Sequence, residues 1–128
     1  MSAVPVVLVV EDNSELRSVL TDALAEEGYQ VLGAQDEAEA RGLLRDNRVD
    51  LLISDLTGPP NAKQALEAVK EDFPDLPVVA LSETTSPHPP FFFGAWQNPR
   101  AIRTLSKPFR LAQLLAVSRE MLDAGPQP

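Results

Sequence analysis

The sequence predicts a doubly wound α/β fold, a single parallel sheet covered by helices on both faces. Two observations carry this expectation. Short apolar runs alternate five times with longer stretches of helical periodicity, and strand–helix–strand repeats of that kind return through right-handed crossovers. The first run, Val6-Val7-Leu8-Val9-Val10, is β-branched and uninterrupted, as a strand buried on both faces requires. At 128 residues, 44% of them hydrophobic, the chain has the size of one domain with one sizeable core.

The elements follow in order. A helix is expected over residues 14–27, where Leu16, Val19, Leu20, Ala23 and Leu24 fall on one face; Asn13 or Ser14 can cap its start and Gly28 its end. Residues 30–34 read as a short second strand, and Asp36 caps a second helix through Leu43 and Leu44 to about Asp46. The third strand is Asp50-Leu51-Leu52-Ile53-Ser54. Beyond a turn at Gly58-Pro59-Pro60, Asn61 opens a helix carrying Ala65, Leu66, Val69 and Phe73. Pro74 and Pro77 bracket its exit into a fourth strand, Val78-Val79-Ala80-Leu81.

Between Ser86 and Pro99 four prolines confine any regular helix to about residues 91–98, so a short or irregular fourth helix is expected. That window holds Phe91, Phe92, Phe93 and Trp96, which serve either as core filler or as an apolar face for a partner. Residues 102–106 form the last strand. A final helix over 110–122 turns Leu111, Leu114, Leu115, Val117 and Leu122 inward, and 123–128 is a frayed tail. The expectation is one domain across 1–128 with its core at about 5–122, and with no linker to a second domain.

Composition removes several function classes. Nineteen acidic against eleven basic residues give a net charge of −8, which argues against nucleic acid or an anionic membrane surface as partner. No apolar run reaches the roughly 20 residues that span a bilayer, and residues 1–5 lack the basic start of a secretion signal. The chain has no cysteine, so disulfides and thiolate zinc sites are out and a reducing cytoplasm is the expected compartment. A single histidine, His88, leaves no imidazole cluster for a metal and none for a catalytic triad.

In a parallel sheet the residues just past the strands' carboxyl ends meet along one edge, where ligands bind in open α/β folds. Here those residues are Glu11 and Asp12 after the first strand, Asp55 after the third, Ser82 after the fourth and Lys107 after the fifth. Two carboxylates about 4 Å apart repel by about 4 kcal/mol at an effective dielectric of about 20. Such a cluster must protonate, pair with Lys107 or bind a cation. Hard oxygen donors without nitrogen or sulfur select Mg²⁺, or a near relative such as Mn²⁺. With metal and ammonium in place, one carboxylate can attack phosphorus and form an aspartyl phosphate.

The segments Val9-Val10-Glu11-Asp12-Asn13, Leu52-Ile53-Ser54-Asp55-Leu56, Val79-Ala80-Leu81-Ser82 and Ser106-Lys107-Pro108-Phe109 resemble the four sequence blocks of bacterial response-regulator receiver domains, in order and over residues 5–122. The resemblance implies a flavodoxin-like, CheY-like sheet of order 2-1-3-4-5 and phosphorylation on Asp55. It also implies Mg²⁺ held by Glu11, Asp12, Asp55 and the backbone carbonyl of Thr57. Ser82 would hydrogen-bond a phosphoryl oxygen, Lys107 would pair with the phosphoryl group, and Pro108 would follow Lys107 through a cis bond. Thr57 and Thr84 resemble positions that tune phosphoryl lifetime.

The sequence departs from the family pattern at Thr104, where a Tyr or Phe is usual, and at Glu83, where a small residue is usual. It departs again at Ala62-Lys63, which stand where a Gly is common, and across the rewritten fourth helix. What the resemblance implies is therefore a stand-alone receiver served by a histidine kinase or phosphotransfer protein. Its output would be read by a partner protein through the segment from Pro87 to Arg103, and a homodimer is compatible with it. The first alternative is a binding module of the same fold that works without phosphorylation. The second is a Mg²⁺-dependent phosphohydrolase, which would usually carry an acid where Thr57 stands.

Overall fold

The computed structural model describes residues 4–56, 62–82 and 102–124. Five strands, β1 (Val6–Val10), β2 (Gln30–Ala34), β3 (Leu51–Asp55), β4 (Val78–Ser82) and β5 (Ile102–Ser106), form one parallel sheet in the order β2-β1-β3-β4-β5. Four helices are described: α1 (Ser14–Glu26), α2 (Glu37–Asp46), α3 (Ala62–Asp72) and α4 (Leu111–Ala124). The expected short or irregular fourth helix falls outside the described residues, so α4 here is the final helix.

Strand alternation sorts the apolar runs onto two faces. Leu8, Val10, Leu52, Val78 and Ala80 meet Ala40 and Leu44 of α2 and Leu66 and Val69 of α3. On the opposite face Val7, Val9, Leu51, Ile53, Val79 and Leu81 meet Leu20 and Leu24 of α1 and Leu114 and Met121 of α4. Each fully buried Leu or Ile contributes roughly 2 kcal/mol by leaving water, so the three central strands anchor the sheet and hold its carboxyl edge still.

Local signals act as the sequence suggests. Asn13 caps α1, its side-chain oxygen accepting from the Leu16 amide at 3.0 Å, and Asp36 does the same for α2 from the Glu39 amide at 2.9 Å. Gly28 takes the left-handed conformation that ends α1, with φ +97°.

Three expectations need correction. The third strand begins at Leu51 rather than Asp50 and runs through Asp55, and the fourth runs through Ser82. The cause is continued ladder bonding: the Leu56 amide donates to the Leu81 carbonyl at 2.7 Å, and the Lys107 amide to the Ser82 carbonyl at 2.9 Å. Val19 and Leu111, expected inward, are 52% and 37% exposed, because the buried stripe of α4 runs through Leu114, Ser118 and Met121 and that of α1 through Leu20, Ala23 and Leu24. The final helix starts one residue later than expected and continues to Ala124, two residues into the expected tail; residues 125–128 lie outside the described part.

Candidate functional site

The carboxyl edge of the sheet gathers its polar side chains because register forces them together. Val10 of β1 is paired with Ala34 on one side and Ser54 on the other, Asp55 with Leu81, and Ser82 with Ser106. Glu11, Asp55, Ser82 and Lys107 therefore emerge at one level.

Lys107 reaches across from the β5 end, and its Nζ donates to Asp55 Oδ2 at 2.6 Å. Asp55 is buried, which makes this a charge-assisted bond in a low-dielectric setting. The Lys107–Pro108 peptide bond is cis, in line with the expectation for Pro108. Glu11 is 3% exposed. Its Oε2 accepts from the Asn13 amide at 3.0 Å, while its Oε1 is buried with no hydrogen-bond partner. Burial, and next the Asp55 carboxylate beside it, push the Glu11 carboxyl up to about 8.

Two of the three outcomes open to crowded carboxylates are thus both in use: Glu11 favours its protonated form and Asp55 pairs with Lys107. The third carboxylate, Asp12, stays exposed to water. Among the described residues no three Asp, Glu, His or Cys side chains are gathered as a cluster that could hold a metal. Of the three carboxylates expected at this edge, Glu11 and Asp55 are buried side by side, and Asp12, next to Glu11, is the one open to water.

The donor set nevertheless suits a hard divalent cation. Every side chain offered is an oxygen donor, and Glu11 Oε1 is an acceptor without a donor, buried beside a second carboxylate. Thr57, Glu83 and Thr84 lie outside the described residues, as does most of the expected read-out segment, residues 87–101. Ser82 is half-buried at the edge, and Thr104 is exposed in mid-β5.

Two features were not read from the sequence. Glu37, at the start of α2, is buried, and the Ser54 hydroxyl donates to its Oε2 at 3.1 Å, one residue before Asp55. Burial raises its carboxyl above the ordinary range despite that bond. Leu16 and Val19 of α1 together with Pro108, Phe109 and Leu111 line an apolar groove of about 490 Å³, to which Lys107 also contributes. The exposed Val19 and Leu111 are its walls, and their exposure beside the polar site was the missing signal.

Comparison with known proteins gives a consistent picture. The family profile of the response regulator receiver domain matches residues 7–119. The response regulator MprA of Mycobacterium sp. (strain KMS) is 32% identical over 126 residues, covering 94% of this chain and 54% of that protein. The DNA-binding transcriptional regulator NtrC of Bradyrhizobium sp. (strain RP501 Parasponia) is 31% identical over 113 residues, covering 87% of this chain and 23% of the other. The chain thus spans about half of the first relative and about a quarter of the second. Among solved structures, chemotaxis protein CheY4 of Vibrio cholerae superposes with a TM-score of 0.80 at 28% identity, over 94% of this chain and 100% of that one.

Proposed function

The chain belongs to the response regulator receiver domain family, and on that premise we propose that Asp55 takes up a phosphoryl group in a Mg²⁺-dependent step and that the change is read by a partner protein. Receivers of this family are signalling modules of two-component systems that bind Mg²⁺ and work with histidine kinases and output domains. The observation that carries the proposal is the Lys107 ammonium 2.6 Å from Asp55 Oδ2, beside the donor-less buried carboxyl of Glu11.

In the proposed step an Asp55 carboxylate oxygen forms the new bond to phosphorus. The bond from phosphorus to the donor breaks, and the leaving group departs with its electron pair, taking any proton it needs from water. Glu11, Asp12, Asp55 and the Thr57 carbonyl would hold Mg²⁺, which when bound neutralises charge on the phosphoryl oxygens. Lys107 exchanges its bond to Asp55 for one to a phosphoryl oxygen, and the Ser82 hydroxyl donates to another. With Thr104 in place of an aromatic ring, the shift is read by the segment from Pro87 to Arg103.

The groove that Lys107 helps to line suits a helix of the histidine kinase or phosphotransfer protein, since a helix docked there would lie beside the residue that pairs with Asp55. The reading is of a stand-alone, cytoplasmic receiver occupying 1–128 as one domain. The single-domain reading is supported by the receiver profile that matches residues 7–119; among the described residues no helix is long and apolar enough to cross a membrane.

The test is intact mass after incubation with Mg²⁺ and a small-molecule phosphodonor. Wild type should gain one phosphoryl group, Asp55→Asn none, and Val19→Glu should react normally with the small donor yet slowly with a phosphorylated kinase. No gain in the wild type would favour the phosphorylation-independent binding module, for which exposed Thr104 is the supporting observation.

A further inference from the structure

We propose that Arg17 is the positioning residue of the acidic loop, holding Glu11 and Asp12 in the arrangement that a cation needs; this rests on the Mg²⁺ reading of the site. Arg17 lies on the first turn of α1, and its NH1 donates to the Glu11 backbone carbonyl at 2.6 Å. Its amide makes the first bond of α1, to the Asn13 carbonyl at 2.9 Å, so the helix start fixes one end of the three-residue loop and the arginine side chain the other. From the other side the Glu11 amide donates to the Ala34 carbonyl at 2.9 Å. The loop's own internal tie, from the Asn13 amide to Glu11 Oε2, is what aims the Glu11 carboxyl.

The arginine stem packs over the edge strand. Gly33, paired with Val9, stands directly under the Arg17 side chain: a Cβ there would lie 3.4 Å from Arg17 Cδ and 3.7 Å from Cγ. Gly33 shows no left-handed backbone that would explain a glycine, since among the described residues only Gly28 has a positive φ. The arginine stem runs over Gly33 at van der Waals distance, and the guanidinium reaches the Glu11 carbonyl. A branched side chain at position 33 would meet the stem.

The sign of the effect separates positioning from charge. A guanidinium beside the acids repels Mg²⁺, so its removal would on charge alone tighten metal binding. If Arg17 positions the loop, its removal weakens binding instead, by about tenfold as for other residues that orient metal ligands.

The experiment titrates Mg²⁺ alone by calorimetry and follows amide exchange at Asn13 in the metal-free protein. Arg17→Met should bind Mg²⁺ about tenfold more weakly and exchange the Asn13 amide about tenfold faster. Arg17→Lys should recover part of both. Gly33→Val, which keeps the arginine but sets a branched side chain against its stem, should move both readouts the same way and stands in should Arg17→Met fold poorly. Arg119→Met, which removes a surface arginine paired with Glu27, should move neither. Unchanged or tighter Mg²⁺ binding in Arg17→Met and Gly33→Val would overturn the proposal. If the wild type binds no Mg²⁺, the metal reading fails, and Asn13 exchange alone decides: acceleration in the variants upholds the grip on the loop, and unchanged exchange sinks it.

Discussion

The sheet has a buried ionisable side chain at each of its ends, and the two are accommodated in different ways. At the amino end Lys70 of α3 is buried and its ammonium donates to the Leu76 carbonyl just before β4. Burial lowers its pKa, with Asp75 nearby acting in the opposite direction. At the carboxyl end Glu11 is as deeply buried, yet one of its oxygens has no donor and a second carboxylate lies beside it. Burial of a charge-bearing group is therefore no mark of a site by itself. What distinguishes the carboxyl end is like charges held together with unspent hydrogen-bonding capacity, an arrangement that a cation or a phosphoryl group can complete.

The largest expected effect breaks that contrast directly. Lys107→Met leaves Asp55 and Glu11 buried without the ammonium, and removing one member of a buried pair should cost about 3 kcal/mol of unfolding free energy. Lys70→Met is the counterpart at the other end. It keeps the stem's packing and removes a desolvated charge while orphaning one carbonyl, so these terms offset and stability should change by less than about 1.5 kcal/mol. Urea denaturation of both variants checks the pair. Saturating Mg²⁺ should restore part of the loss in Lys107→Met and none in Lys70→Met. Equal losses at the two ends would remove the distinction.

The next effect is one of sign with pH. The folded-state pKa of Glu11 is raised from 4.5 to about 8, so the folded protein holds a proton that the unfolded chain releases. Its contribution to stability is complete below the unfolded value and is lost as pH rises through that window, by at most about 1.4 kcal/mol per pH unit. Glu37, also raised, adds to the same downward slope from 4.5 upward. Lys70 is lowered from 10.5, so its contribution is present above 10.5 and is lost as pH falls through its folded value, a slope of opposite sign. Denaturation midpoints should fall between about pH 5 and 8 in metal-free protein. Glu11→Gln should flatten most of that fall, and Lys70→Met should flatten only the alkaline rise.

Much of this carboxyl end was legible because it depends on strand ends, and strand ends depend on apolar runs. Glu11, Asp55, Ser82 and Lys107 each follow a run that the residues announce, and parallel pairing brings them to one edge. The features missed depend on distances across the fold. Glu37 looks like an acid suited to a helix start, and only the Ser54 hydroxyl, 17 positions away, makes its burial workable. Val19 and Leu111 fit an apolar stripe by spacing, but a helix presents a stripe wider than the sheet covers, and the remainder becomes a groove wall. Arg17 carries no signal until its stem is seen above Gly33.

The smallest effect isolates orphaned capacity from function. Ser118 of α4 is fully buried, and its Oγ has no hydrogen-bond partner, as Glu11 Oε1 has none. Its helix neighbours in the buried stripe, Leu114 and Met121, are apolar, unlike the carboxylate that stands beside Glu11. Ser118→Ala should therefore stabilise the protein by about 1 kcal/mol, since the alanine gives up no bond and spares the desolvation of the hydroxyl. Ser54→Ala, which takes the donor from Glu37, should destabilise by about 1–3 kcal/mol. Thermal unfolding of the two variants should shift in opposite directions. If Ser118→Ala destabilised as Ser54→Ala does, the hydroxyl would have a partner in solution, and an unpaired oxygen would no longer separate Glu11 from the other buried polar groups.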